Sequence, residues 1–270
     1  MNSESNDIDD QLTPELAQDA PRRSMQRLVR HLDLFSGIGG FALAAQMVGG
    51  IKTVGFCEIN SYAQKVLAKN FPEVPIHDDI KTLKLTEYGT IDLITGGFPC
   101  QPYSVAGKQL GHADERDLWP EMLRIIREAK PRWVLGENSP NVLNMAFDKI
   151  KTDLEAEGYE VGEPLVIPAC AIGADHRRDR AWICAHLNPV RLQGGSEEEI
   201  PWITTLPQQP AGVFESERSR QCLSEPAMLR SLNGIPGGVD RIMALGNAIV
   251  PQVAAEILRC MMRVDSLHNT

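Results

Sequence analysis

The feature that most restricts this chain is a short apolar run that breaks into glycines and resumes as a helix former. Leu32–Phe35 reads as a strand, Gly37-Ile38-Gly39-Gly40 as a tight turn, and Phe41–Val48 as a helix of small apolar residues. A strand that feeds a helix through so short a turn leads back across its own sheet, and the favoured outcome is a parallel neighbour. The unit recurs. Lys52–Cys57 is a second strand closed by Glu58, and Ser61–Asn70 is a helix capped by Asn60 or Ser61, with Pro72 just beyond. A short segment leads to Ile80. Ile91–Thr95 is a third strand, opening into Gly96-Gly97-Phe98-Pro99-Cys100. Leu118, Met122, Ile125, Ile126 and Ala129 form an apolar stripe at helical spacing.

Trp133–Leu135 is a fourth strand running to Glu137-Asn138, and Phe147–Glu157 is an amphipathic helix stopped by Gly158. Tyr159–Pro168 and Ala181–Ala185 read as further strands, and Ala254–Met262 as a final helix. Alternating strands and helices predict an α/β fold: a Rossmann-like, mostly parallel sheet with helices on both faces. Ligands in such sheets sit at the carboxyl ends of the strands, near a switch in strand order. Gly37, Glu58, Cys100 and Glu137 each follow an apolar run directly, so the pattern gathers them at that edge.

The remainder of the chain divides into regions. Residues 1–27 lack apolar periodicity and read as a disordered acidic tail, and 28–187 carry the strand–helix alternation. Residues 188–228 are rich in Pro, Gly, Gln, Ser and Glu and read as a small inserted lobe. Residues 229–270 return to apolar text punctuated by glycine. The formal charge is −9, but residues 1–20 hold six acids and no base, and without them the balance is −3. A locally basic cleft on such a body is compatible with nucleic acid, which responds to the nearby field. The six cysteines are scattered with no C-x-x-C pair, which disfavours a zinc site or a disulfide framework. No apolar run approaches the ~18–20 residues of a membrane span, and the first residues do not resemble a signal peptide. An intracellular protein without a metal is the expectation.

Taken singly, the polar residues at the strand ends have plain readings beside the functional ones. Gly37, Gly39 and Gly40 let a ligand approach the backbone at a helix N-terminus, or simply make a tight turn. Glu58, about 20 residues on, suits a ribose diol, or is a solvated acid. Cys100, between Pro99 and Gln101 and ahead of a glycine-containing loop, is placed as a nucleophile, or is a structural thiol. Glu137 can serve as a general acid if burial keeps it protonated, or it caps an element. His176-Arg177-Arg178-Asp179-Arg180 can pair with Glu137, hold a base carbonyl or bind phosphate, or is a surface charge cluster.

Together these segments resemble the DNA cytosine-5 methyltransferase family. Asp33–Phe41 is similar to its cofactor loop, Phe56–Asn60 to its ribose segment and Asp78-Asp79-Ile80 to its adenine segment. Gly97–Pro102 is similar to the nucleophile motif and Asp114-x-Arg116-x-Leu118 to the segment that follows. Glu137-Asn138-Ser139 resembles Glu-Asn-Val, and His176–Arg180 resembles Gln-x-Arg-x-Arg. Asn233–Pro236 and Gly246–Pro251 resemble the last two motifs. The departures are Ser139 for Val, His176 for Gln, and a recognition region between Cys184 and Leu229 that is short for the family.

The resemblance implies S-adenosylmethionine as cofactor, contacted by Phe35, Gly37, Gly39, Gly40, Glu58, Ile59, Asp79, Ile80, Pro99, Leu118 and Asn247. It implies catalysis by Cys100, Glu137, Arg178 and Arg180, and DNA contacts from Gln101 and Ser104. The implied partner is double-stranded DNA with the target cytosine flipped out, read by residues of 188–228. Arg218 and Arg220 are candidates there, since Arg reads guanine by paired hydrogen bonds. A monomer is expected, with room for a cognate restriction enzyme. The rival readings are an RNA cytosine-5 methyltransferase, whose Cys-Phe-Thr tripeptide is missing here, and an inactive DNA-binding regulator.

Overall fold

A computed structural model of the chain describes residues 27–99, 117–174, 176–187 and 244–268. Its centre is one mixed sheet. Strands β1 (Val29–Leu34), β2 (Ile51–Cys57), β3 (Ile76–His77), β4 (Leu93–Gly96) and β5 (Trp133–Asn138) are parallel. The order is β3-β2-β1-β4-β5, extended by β8 (Asp179–Leu187), which runs antiparallel to β5. β6 (Tyr159–Val161) and β7 (Leu165–Pro168) share the outer edge of β8. The expected strand Tyr159–Pro168 is therefore two, and the break falls at Gly162-Glu163-Pro164, where proline cannot donate to a ladder. β3, only two residues long, lies in what reads from sequence as connecting chain.

Alternation along the strands assigns the two faces. Leu32, Leu34, Ile94 and Val134 pack with Met122 and Ile126 of α3 (Trp119–Ala129) and Ile150 and Leu154 of α5 (Phe147–Ala156). Between α3 and α5 lies a single turn, α4 (Val142–Met145). Leu93, Trp133 and Leu135 face the other way, onto Ala44 and Ala45 of α1 (Gly40–Val48) and onto α6 (Pro251–His268). Helix α2 (Ser61–Asn70) starts at Asn60, whose side chain accepts the Tyr62 and Ala63 amides.

The last helix is longer than its apolar text suggests. Val253, Ala254, Ile257, Leu258, Met261 and Val264 are buried along one stripe, each large side chain worth about 1.5–3 kcal/mol. Asp265 extends the helix's hold. It accepts Trp133 Nε1 at 3.0 Å and pairs with Arg132 at 2.8 Å.

The chain leaves β1 toward β2 and β3, then returns to build β4 and β5 on the other side, so strand order switches between β1 and β4. Register fixes what meets there. Cys57, Leu34, Gly96, Gly136 and Ile183 form one row across five strands. One residue beyond it in the four parallel strands come Glu58, Phe35, Gly97 and Glu137. Among the described residues no helix is long and apolar enough to cross a membrane.

Candidate active site

The turn after β1 is held from beneath. Ser36 Oγ donates to the Asp33 carbonyl at 2.6 Å and accepts the Cys57 amide at 3.2 Å, locking the turn to β2. Phe35, Gly37 and Gly39 all have left-handed backbones, with φ of 53°, 53° and 89°. Glycine takes this conformation at no steric cost, whereas Phe35 is strained. Gly39 and Gly40 are also points of close approach. A Cβ on Gly39 would stand 2.7 Å from the Phe71 ring, and one on Gly40 2.5 Å from Ile249 Cγ1. The second contact brings the segment before α6 across the N-terminus of α1.

Glu58 is nearly buried, and both of its oxygens are engaged. Oε2 accepts the Gly37 amide and Oε1 the Asn60 amide, each at 2.7 Å. The carboxylate is thus joined to the glycine turn. Next to it Ile59 is 75% exposed, an unusual position for a large apolar side chain. β3 pairs with the end of β2, so the turn 79–82 follows at Glu58's side. In that turn Asp79 Oδ1 accepts the Lys81 amide, and Ile80 is buried.

Glu137 has a different setting. It is 7% exposed, and burial raises its carboxyl to about 7 against the opposing pull of Arg180 and Arg178. Arg180 Nε lies 2.9 Å from Glu137 Oε1 but off the line of donation, so the contact is ionic rather than a directed hydrogen bond. Glu137 Oε2 stands 3.2 Å from where a Cβ on Gly97 would be. Asn138 Nδ2 donates to the Phe98 carbonyl at 3.0 Å, and Phe98 packs against Trp119 at 5.4 Å between ring centres. The end of β5 thereby braces the backbone just ahead of Pro99, which is half-buried.

One of the arginines bridges to the C-terminal segment. Arg178, at φ 34°, donates from Nη2 to the Ala248 carbonyl at 2.8 Å. Arg178 and Ala248 line a cleft of about 430 Å³ with His176, Ile172, Leu245 and Val250. Asn247, in the helical turn 244–247, is exposed beside it. A larger groove of about 510 Å³ runs between α2 and β3; of the segments expected at the site it is lined only by Asp78.

The described part therefore brings Gly37, Glu58, Ile59 and Asp79 to one side of the strand switch, and Glu137, Arg178 and Arg180 to the other. Leu118 is half-buried just before α3. Cys100, Gln101, Ser104, Arg218 and Arg220 lie outside the described residues. Among the described residues no cluster of three or more His, Cys, Asp or Glu could hold a metal ion.

Some contributors escaped sequence reading. Asn138 showed only as part of a motif. His31 and Thr95 sit inside apolar strands, a signal that buried polar pairing was at hand. His31 bridges Thr53 at 3.0 Å and Thr95 at 2.7 Å, and Thr95 donates to Asp33 at 2.9 Å.

Residues 29–226 match the family model of the C-5 cytosine-specific DNA methylase. The chain belongs to that family. It is 38% identical over 177 residues to the Type II methyltransferase M.Eco47II of Escherichia coli, covering 63% of this chain and 42% of that relative. A putative DNA modification methyltransferase encoded within an E. coli prophage is similar in structure, with a TM-score of 0.51 and 26% identity over 60% of this chain and 48% of that one. The Spodoptera frugiperda DNMT2 structure is similar at a TM-score of 0.52 and 25% identity, covering 60% and 51%. The fold is thus the mixed α/β fold of S-adenosylmethionine-dependent methyltransferases. The chain spans less than half the length of M.Eco47II.

Proposed function

We propose that this methylase-family chain transfers a methyl group from S-adenosylmethionine to carbon 5 of a cytosine flipped out of duplex DNA, through a covalent Cys100 intermediate. The observation that carries the reading is Glu137: a buried carboxyl raised to about 7, beside two arginines, at the end of the strand next to the one that leads to Cys100. A carboxyl poised near neutrality can give up a proton where an ordinary glutamate cannot.

The chemistry requires such a group because carbon 5 of cytosine is a weak nucleophile. The Cys100 thiolate adds to carbon 6, forming a carbon–sulfur bond. Glu137 gives its proton to ring nitrogen 3, so the electron pair displaced by the thiolate is held there in a neutral ring, leaving carbon 5 enamine-like. Arg180 orients Glu137 and holds the base carbonyl, and Arg178 ties this corner to the segment at Ala248. After carbon 5 is alkylated, a base removes its proton, the carbon–sulfur electrons return to Cys100 as thiolate, and nitrogen 3 gives its proton back to Glu137.

The cofactor residues fit the group they are assigned. Gly37 has no atom within 4 Å of where a Cβ would lie, so its outer side is open to a ligand. Glu58, fixed by two amides, keeps further lone pairs for a ribose diol, and exposed Ile59 offers an apolar face to a purine. When bound, S-adenosylmethionine supplies the electrophilic methyl group. Phe35, Gly39, Gly40, Ile80, Pro99, Leu118 and Asn247 complete the proposed cofactor wall. Gln101 and Ser104 are assigned to the DNA, and residues 188–228, with Arg218 and Arg220, to reading its sequence.

Duplex DNA bearing 5-fluorocytosine tests the proposal, because fluorine cannot leave as a proton and the intermediate is trapped. The full chain with cofactor should form a denaturant-stable adduct, and Cys100→Ser should form none while still binding cofactor. Turnover by the serine variant would remove Cys100 as the nucleophile. RNA accepted in preference to DNA would redirect the substrate.

A further inference from the structure

Helix α3 carries an arginine whose side chain leaves its own helix. Arg124 has Glu121 one turn before it and Glu128 one turn after, on the same face. Its Nε donates to Glu121 Oε2 at 2.8 Å, and Nη1 lies 3.6 Å from Glu128 Oε2. These acids hold the guanidinium so that its outer edge points at the turn 79–82. Nη2 donates to the Ile80 carbonyl at 2.7 Å, and Nη1 reaches the Leu83 carbonyl at 3.4 Å.

That turn is closed on itself at one end only. Asp79 accepts the Lys81 amide through Oδ1 and the Thr82 amide and hydroxyl through its carbonyl, each near 3 Å. Among the described residues, Ile80's carbonyl receives a 3.3 Å bond from the Leu83 amide besides the arginine. The peptide that follows Ile80 is thus held from outside the turn by a side chain from α3, alongside the burial of Ile80's own side chain. The anchor is long-range, 44 residues along the chain, and charge-assisted, and the Arg fork spans two carbonyls as an ammonium could not.

We propose that Arg124 is a positioning residue for the cofactor's adenine. It holds the Asp79–Ile80 segment in place and thereby sets the preference for a purine bearing a 6-amino group. The assignment rests on the functional reading above, which gives this segment to adenine. An exocyclic amine is a donor, and a carboxylate such as Asp79 is its natural acceptor, provided the segment does not drift. Arg124 itself touches no reacting atom. It acts through Ile80, as an outer partner that orients an inner one.

The test is calorimetry on the full chain with S-adenosylhomocysteine and with its analogue whose purine lacks the 6-amino group. Arg124→Ala should weaken S-adenosylhomocysteine about tenfold, the size of one charge-assisted bond lost indirectly. It should weaken the amine-free analogue about threefold less, since coupling between neighbouring groups is expected to appear as non-additivity. Arg124→Lys, which keeps the charge and one donor, should fall between the alanine variant and wild type for both ligands and guards against misfolding of the alanine variant. Equal weakening of both ligands in both variants would mean that Arg124 only supports the fold. No weakening of either would remove it from the cofactor site altogether. A wild-type chain that binds neither ligand would overturn the functional reading, and this assignment with it.

Discussion

Glu58 and Glu137 are the same residue type, one position past the same row of the sheet, at the ends of parallel strands. Yet one is wrapped in amide donors and the other is set against an arginine without a directed hydrogen bond. The difference lies in the neighbours. Beside Glu58 the chain turns sharply at Gly37 and at Asn60, and turns expose N–H groups. Beside Glu137 the next strand is antiparallel β8, which spends its amides on the ladder and offers a guanidinium instead. Backbone donors make a carboxylate a fixed acceptor. A buried site with a competing cation makes a carboxyl that can exchange a proton near neutrality. The two halves of the strand switch are accordingly suited to holding and to reacting.

The sharpest way to break that contrast is to remove each carboxyl in turn. Glu137→Gln should lower methyl transfer about 10²- to 10⁴-fold, the usual contribution of a positioned acid, while cofactor affinity holds. In the wild type, transfer should also fall as pH rises above about 7, when Glu137 loses its proton, and the variant should lack that limb. Glu58→Ala should do the reverse, weakening cofactor binding by roughly 10- to 150-fold, with little change in single-turnover rate at saturating cofactor. Calorimetry and single-turnover kinetics on both variants decide it. If both lose the same quantity, the two halves do not divide the work in this way.

Much of this arrangement was legible in the sequence. Glycine turns, β-branched runs and caps such as Asn60 act locally, so β1, α1, β2 and α2 read within a few residues of their true ends. Glu58 and Glu137 were legible for the same reason, as polar residues closing apolar runs. What escaped depends on the third dimension. β3 is strand only because Phe56 and Cys57 pair with it. The antiparallel entry of β8 beside β5 has no signature in its own text. The carboxyl terminus of α6 is stabilised by Arg132 and Trp133, more than 130 positions earlier. Arg124 has the appearance of an ordinary helix-surface charge until its partners at Ile80 and Leu83 are seen.

The smallest expected effect is also the most selective, because it asks whether the two halves respond oppositely to pH. His31, wholly buried in β1, is lowered to about 3 by burial, while an unfolded histidine titrates near 6.5. As pH falls from 6.5 toward 3 the unfolded chain takes up this proton first, so the folded chain loses stability on the acid side. Glu137 is raised from 4.5 to about 7, so the folded chain keeps its proton longer, and stability is lost as pH rises from 4.5 through 7. Between pH 4.5 and 6.5 the two slopes oppose each other, and each reaches at most about 1.4 kcal/mol per pH unit. In the wild type they should nearly cancel there. Urea denaturation midpoints at pH 5, 6 and 7 separate them. His31→Gln should expose the Glu137 slope, with stability falling toward pH 7 more steeply than in wild type. Glu137→Gln should expose the His31 slope, with stability at pH 5 lower relative to pH 7 than in wild type. Asp33, also raised by burial, shares the sign of Glu137 and stays in both variants, so the differences from wild type carry the result. Parallel pH curves for all three proteins would show that neither buried group titrates as its surroundings require.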